Sequence, residues 1–198
     1  MRMRYVVTGG ALVAVAAMFA IPAIAGPSSP VSASDVAAAE ATLLNGIIAQ
    51  QQVLVPPGAS MHTSQSAARS VITSASMRSA MKLAASTKLH KYYTAAAYTY
   101  AQKTATSGIN AQSDPTFRVL GGGADMFNVL TETAVDSSTL NLTGTVRTRS
   151  DIAQLQGTTL VPADPTNILD FNAVMIKQTD GSWLISSYSW TFHPGSEP

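Results

Sequence analysis

The sequence predicts an α+β chain in which N-terminal helices pack on one face of an antiparallel β-sheet. Three observations predict this fold. Apolar residues recur every three or four positions across residues 34–106, they alternate with polar residues across 116–192, and Asp180 and Gly181 separate two long extended runs near the end. Helical periodicity followed by strand periodicity is typical of α+β domains, in which the helices lie on one sheet face.

Residues 167–192 are predicted to form one long β-hairpin. Asp180 and Gly181 form its predicted two-residue turn, because glycine supplies the positive φ that a type I′ turn requires. The predicted cross-strand pairs are Trp183 with Gln178, Ile185 with Ile176, Tyr188 with Ala173, and Trp190 with Phe171. The face predicted to be apolar holds Leu169, Phe171, Ala173, Met175, Leu184, Tyr188, Trp190 and Phe192. The face predicted to be polar holds Asp170, Asn172, Val174, Gln178, Ser187, Ser189 and Thr191.

The composition excludes several classes of protein. The chain has no cysteine, so a disulfide scaffold, a thiolate metal site and a cysteine nucleophile are excluded. Charged residues make up 12% of the chain, with 12 basic and 11 acidic side chains. Because phosphate binding needs a clustered basic patch, we expect no nucleic-acid partner.

The N-terminus has the three parts of a secretory signal peptide. Arg2 and Arg4 precede an apolar run, and residues 22–25 end in an A-x-A cleavage pattern after which we expect cleavage. The alternative is an uncleaved membrane anchor, because residues 5–25 approach the length that spans a bilayer. Either reading predicts a secreted or extracytoplasmic protein that touches a membrane only through this segment, if it is retained. The predicted divisions that follow are a linker at 26–33, a single domain at 34–193 and a tail at 194–198.

Three helices are predicted before the sheet. The first begins at Ser32 or Ser34, both of which are N-cap candidates, and ends at residues 55–58. A second helix is predicted over 63–85. After a break at Ser86 and Thr87, a third is predicted over 88–106, with Gly108 as its C-terminal stop.

Three strands are predicted before the hairpin. They cover residues 116–120, 125–136 and 139–155. The glycine run 121–123 is expected to be a bend or bulge, and residues 157–166 are expected to form a loop. One face of the 125–136 strand is predicted to carry Phe127, Val129, Thr131, Thr133 and Val135. The inward face of the next strand is predicted to carry Leu140, Leu142, Gly144 and Val146.

No motif in the sequence specifies a catalytic, metal or cofactor site. The glycine run lacks the pattern of a phosphate-binding loop, and the three histidines (His62, His90 and His193) lack the spacing of a zinc site. Four carboxylates on predicted strands remain candidates for a general base, if one faces an apolar cavity. They are Asp125, Glu132, Asp151 and Asp170. By the predicted register, Glu132 and Asp170 lie on the polar face.

Aromatic residues are the best candidates for a ligand site. Tyrosines of the third helical run and rings of the hairpin either line a pocket or form core whose polar tips need partners. The candidate ligand-binding residues are Tyr92, Tyr93, Phe127, Phe171, Tyr188 and Trp190. We expect no catalytic residue, metal ligand or cofactor.

The predicted sheet follows three helical runs and closes with Asp180, Gly181, Ser182, Trp183, Leu184 and Ile185. This order of elements and this closing hairpin resemble the nuclear transport factor 2-like (cystatin-like) cone fold. The resemblance spans residues 34–193 and implies that the helices cover the concave face of a bent sheet. Some members use the resulting cavity as an active site, as in ketosteroid isomerase and polyketide cyclase relatives, and others serve as docking scaffolds. The layout is most similar to extracytoplasmic actinobacterial members with an N-terminal membrane segment. A departure is that no strand is evident between the second and third helices.

Two functional hypotheses follow. The first is a non-enzymatic binding or scaffold domain that engages an envelope protein or a small apolar ligand, and a homodimer is compatible with it. The alternative is a small isomerase-like or cyclase-like enzyme that uses a cavity carboxylate as general base. A pocket lined by an inward-facing acid or histidine would favour the enzyme.

Overall fold

A computed structural model describes residues 31–58, 74–114, 117–156 and 159–196. The elements in chain order are α1 (Ala33–Gln52), α2 (Ala75–Leu89), α3 (Ala95–Ala111), β1 (Phe117–Asp136), β2 (Thr139–Gln156), β3 (Thr159–Ala163), β4 (Thr166–Lys177) and β5 (Trp183–Phe192). The helices precede an antiparallel sheet and pack on one of its faces, so the predicted α+β class is confirmed. The leader, residues 26–30 of the linker, His62 and the first part of the predicted second helix lie outside the described residues.

The first helix begins where its capping residue predicts. The Ser32 hydroxyl accepts a hydrogen bond from the Asp35 amide at 3.2 Å, so Ser32 is the N-cap rather than Ser34. The helix ends at Gln52, a few residues before Pro56 and Pro57. Its buried side, which includes Leu43 and Ile47, faces the sheet and forms the centre of the core. No helix in the described part of the chain is long and apolar enough to span a bilayer.

The boundary between the second and third helices differs from the prediction. The break lies at residues 90–94 rather than at Ser86 and Thr87, because the main chain around Tyr93 pairs with the sheet. The amide of Ile185 donates to the Tyr92 carbonyl at 2.8 Å, and the Thr94 amide donates to the Ile185 carbonyl at 3.0 Å. This isolated parallel bridge stands where the sequence shows no strand.

Gly108 does not stop the third helix, which continues to Ala111. A Cβ at Gly108 would lie 2.8 Å from the Cδ2 atom of Leu54. The glycine therefore permits close packing against the segment after α1. The predicted stop is wrong because the residue serves a tertiary contact.

The sheet has the order β1-β2-β4-β5, with β3 paired to β2 beyond this path. All its strand pairs are antiparallel. The predicted loop at 157–166 is wrong, since residues 159–163 form β3. Pro162 lies within this strand, which is compatible with a position at the sheet margin. In β2 the predicted inward residues Leu140, Leu142 and Val146 are buried.

The first strand is continuous rather than divided at the glycine run. It reaches from Phe117 to Asp136 and is interrupted by four register shifts, of which the first falls between Val119 and Gly121. These bulges change which side chains face inward. After the shift between Val129 and Thr131, Glu132 lies opposite the buried Leu142. The prediction that Glu132 lies on the polar face is therefore wrong, and Thr131 and Thr133, which were predicted to share a face with Val129, lie on the opposite face.

The final hairpin forms, and half of its predicted register is correct. Trp190 lies opposite Phe171 and Tyr188 opposite Ala173, as predicted. Nearer the turn, an extra residue, Ser186, shifts the register by one position. The pairs there are Met175 with Ile185, Ile176 with Leu184, and Lys177 with Trp183.

The turn explains the shifted register. Its loop has three residues, because the Gln178 amide donates to the Ser182 carbonyl at 2.7 Å. Gly181 has a φ of +85°, and the Asp180 carboxylate accepts from the Ser182 amide at 2.9 Å. Three-residue loops of this kind end in a residue with positive φ. As a result Trp183 and Ile185 are buried, and the predicted inward placement of Leu184 is wrong.

Candidate functional site

The structure divides the six predicted ligand-binding residues into two groups. Tyr93 and Tyr188 line a pocket between α3 and β5. Phe171 is 3% exposed and stacks on Phe127, with ring centroids 5.3 Å apart and the planes 2° from parallel. Trp190 is half-buried and contacts Phe192 edge-on at 5.4 Å. Tyr92, Phe127, Phe171 and Trp190 belong to or pack against the core and do not line this pocket.

The pocket has a volume of about 230 Å³ and lies where the third helix passes the last strand. That volume suits a small ligand or a single side chain, since drug-sized ligands occupy about 300–1,000 Å³. Its lining is Gln50, Tyr93, Ala96, Ala97, Tyr100, Ala101, Ser186, Ser187, Tyr188 and Ser189.

Sequence reasoning missed most of the lining, although two signals were present. Ala97 and Ala101 are four residues apart, so they lie on one side of the helix and leave room beside the sheet. Ser186, Ser187 and Ser189 crowd one strand where β-branched and aromatic residues are more usual. Small and hydroxyl-bearing residues at these positions create the space and supply its polar groups.

Tyr93 lines the pocket, but its hydroxyl oxygen is buried. Tyr93 is 4% exposed and is held by the main-chain bridge to Ile185. Its hydroxyl oxygen has no hydrogen-bond partner, and it lies beside Gly46 of α1, where a Cβ would be 3.3 Å away. Burial, and secondarily the neighbouring Tyr188, raises the pKa of Tyr93 well above its ordinary value. Burial also raises the pKa of Tyr188. Both phenols are therefore neutral at physiological pH.

The lining can form hydrogen bonds but contains no ionised group. Serine and tyrosine hydroxyls and the Gln50 amide supply its polarity, and alanines supply its apolar surface. No aspartate, glutamate, histidine, lysine or arginine lines this pocket. Such a site can bind an uncharged group that both accepts and donates hydrogen bonds, but it holds no general base with a pKa near neutrality.

The four carboxylates considered from the sequence lie elsewhere. Asp125 pairs with Arg147 at 2.6 Å, and Asp151 pairs with Arg149 at 3.0 Å. The hydrogen bond from Arg147 is the largest cause that lowers the pKa of Asp125, and the charge of Arg149 lowers it further. These residues form surface ion pairs rather than a buried acid.

The remaining two carboxylates also lie outside the pocket. Asp170 lies 2.8 Å from the Nδ1 atom of His193. Glu132 is exposed and approaches Glu40 of α1; burial and then Glu132 raise the pKa of Glu40. Within the described ranges, no cluster of three histidine, aspartate or glutamate side chains could hold a metal ion.

Comparison with known proteins gives no sequence relative. No family model matches the chain, and no curated protein matches it. Among solved structures it is similar to a periplasmic fragment of TraM, with 9% identity and a TM-score of 0.39 over 82% of this chain and 98% of that one. It is also similar to an Ntf2 like protein involved in plasmid conjugation, with 13% identity and a TM-score of 0.30 over 66% of this chain and 48% of that one. The chain spans about half the length of this second protein. Similarities at this level carry no argument about function.

Proposed function

We propose that this protein is an extracytoplasmic, non-enzymatic binding domain of the nuclear transport factor 2-like type. It binds an uncharged group in the pocket between α3 and β5. The observation that carries this proposal is a pocket whose lining supplies hydroxyl, amide and alanine groups but no ionised side chain. An uncharged group can form hydrogen bonds with such a lining without burying an unpaired charge.

The proposed fold type rests on the order of elements. In the described part of the chain, helices precede an antiparallel sheet and α1 and α3 contact it, and the bulges of β1 favour bending of that sheet. The extracytoplasmic location rests on the signal-like leader. Mass spectrometry of the N-terminus of the exported protein tests the location. A chain that begins at Gly26 supports cleavage, and a chain that retains residues 1–25 supports an anchor.

The enzyme hypothesis receives less support from the geometry. It needs a carboxylate base facing a cavity, whereas Asp125 and Asp151 form ion pairs and Asp170 contacts His193, all away from the pocket. The uncharged lining of the pocket favours ligand binding without catalysis. The proposal therefore concerns ligand recognition alone.

The test uses four probes of similar shape that differ in charge. Benzyl alcohol and benzamide are uncharged at pH 7, whereas benzoate is an anion and benzylamine a cation. We expect saturation-transfer NMR to detect the two uncharged probes at millimolar concentration, because burying an unpaired charge in this lining is unfavourable. Equal binding of all four probes would contradict the proposal.

A matched pair of variants locates the binding. Ala96 is exposed at the pocket and Ala84 is exposed on α2, so tryptophan is tolerated sterically at both positions. Ala96→Trp should cover the pocket and abolish the signal of the uncharged probes. Ala84→Trp should leave that signal unchanged. Retention of binding by Ala96→Trp would place the site elsewhere.

A further inference from the structure

Among the described residues, no strand occupies one edge of the last strand over most of its length. In the sheet order β5 is terminal, so it pairs with β4 on one side only. The His193 amide donates to the Ile168 carbonyl of β4 at 2.9 Å. Alternate residues of an antiparallel strand bond to the same neighbour, so Thr191, Ser189 and Ser187 also bond toward β4. The main-chain groups of Tyr188, Trp190 and Phe192 therefore point toward the open edge.

The chain itself shows how this edge accepts a second strand. At Ile185 both the amide and the carbonyl bond to the main chain of residues 92–94. That contact is a parallel bridge and ends where α3 begins. Within the described part of the chain, no element pairs with β5 beyond this point. The edge is thus occupied at its beginning and open from Tyr188 onward.

The pocket adjoins the open edge rather than one face of the sheet. Ser187 and Tyr188 are consecutive, so their side chains point to opposite faces, yet both residues line the pocket. A pocket that contacts both must touch the strand at its edge. A chain lying along that edge would pass directly over the pocket.

In the described sheet β1, β3 and β5 each pair with one neighbour, and β3 contains Pro162, which hinders addition of a further strand. The outer strand β1 is interrupted by four register shifts, and its surface carries the Asp125 and Arg147 ion pair. Bulges and charges of this kind hinder pairing with a second chain. From Ser187 to Phe192, β5 has a regular register and no charged residue. An uncharged and regular edge favours pairing.

We propose that the open edge of β5 binds an extended, uncharged segment of a partner protein by β-strand addition. The partner's main chain pairs with Tyr188, Trp190 and Phe192, and one of its small uncharged side chains enters the pocket beside Tyr93. Main-chain hydrogen bonds supply affinity in this mode of recognition, and the pocket supplies selectivity. The inference rests on the proposed function, because it names the occupant of the same pocket.

The first experiment selects peptides from a displayed library of random eight-residue sequences with the full chain as bait. We expect the enriched peptides to lack charged residues at their central positions and to bind wild type and Ala84→Trp equally. Ala96→Trp should weaken their binding at least tenfold. Enrichment of charged peptides, or binding that Ala96→Trp leaves unchanged, would overturn the inference.

The second experiment tests strand pairing directly. Alternate amides of a bound strand face the edge, so N-methylation at those positions should weaken binding at least tenfold, and at intervening positions less than twofold. Hydrogen exchange at the Tyr188, Trp190 and Phe192 amides should slow on binding. The amides of Ser187 and Ser189, which already bond to β4, should be unchanged. Equal effects of N-methylation at all positions would exclude strand addition.

The probes separate failure of this inference from failure of the proposed function. If benzyl alcohol binds and depends on Ala96 but no peptide pairs with the edge, the pocket binds small molecules and the inference is wrong. If neither the peptides nor the uncharged probes bind, both proposals are wrong.

Discussion

Replacing Tyr93 with phenylalanine should stabilise the ligand-free protein. The ring is 4% exposed and its hydroxyl lacks a hydrogen-bond partner, so the substitution removes a desolvated polar group and keeps the packed ring. A buried hydroxyl without a partner costs about 1–3 kcal/mol. Taking the lower end, we expect the free energy of unfolding to rise by about 1 kcal/mol. For a protein of this size that corresponds to a rise in Tm of about 2–4 °C.

Tyr98 provides a matched control for this substitution. It is also buried, at 9% exposure, but its hydroxyl lies 2.6 Å from the hydroxyl of Ser86. Tyr98→Phe breaks that hydrogen bond and keeps the ring stacked on His90. A typical hydrogen bond contributes about 0.5–1.5 kcal/mol, so this variant should be destabilised by about 1 kcal/mol.

Urea unfolding followed by tryptophan fluorescence measures both changes. The two substitutions remove the same atom, so the opposite signs of their effects report the presence or absence of a partner. If Tyr93→Phe lowers stability as much as Tyr98→Phe does, the Tyr93 hydroxyl has a partner in solution. The expectation that this hydroxyl is buried without a hydrogen-bond partner would then be wrong.

Three further substitutions test other parts of the structure. Gly144→Ala should destabilise by about 1–3 kcal/mol in urea unfolding, because a Cβ there would overlap the backbone of β1. Glu132→Gln should raise the urea midpoint at pH 7, because burial and then Glu132 raise the pKa of Glu40. The contribution of Glu40 to stability is therefore greatest below its unfolded pKa and is lost as pH rises. The variant should make stability less dependent on pH in a series from pH 4 to 8. Asp35→Asn should lower the urea midpoint at pH 7 but not near pH 2. Hydrogen bonds from Lys177 and then from Ser32 lower the pKa of Asp35. The contribution of Asp35 to stability is therefore present above its unfolded pKa and is lost as pH falls.

The fold class followed from periodicity, but the register of the final hairpin did not follow completely. Beyond Ser186 the pairing of Trp190 with Phe171 is as predicted, since alternation specifies which residues face the core. Nearer the turn, a three-residue loop and a single bulge compensate for each other. The resulting register buries Trp183 and Ile185, which is a tertiary effect that local patterns do not contain.

The site was harder to predict than the fold because it consists of space and small residues. Large aromatic rings drew attention to Phe171 and Trp190, and such rings are more often packed than left to line a pocket. Ala97 and Ser187 line the pocket, but in the sequence they resemble the many other alanines and serines. Glu132 was misplaced for a different reason, since its face depends on a bulge that no local residue marks.

The extra residue at Ser186 connects the core to the proposed site. Before it, β5 places Ile185 in the core and bonds its main chain to residues 92–94. After it, the shifted register keeps Tyr188 on the inward face while the edge becomes free of the bridge. Bulges are frequent beside functional sites because they redirect side chains and end a stretch of pairing. Ile185 and Tyr188 are three residues apart, so in a regular strand their side chains would point to opposite faces. The extra residue lets both face inward, opposite Met175 and Ala173. One bulge therefore lets the same strand place Ile185 in the core and Tyr188 at the pocket.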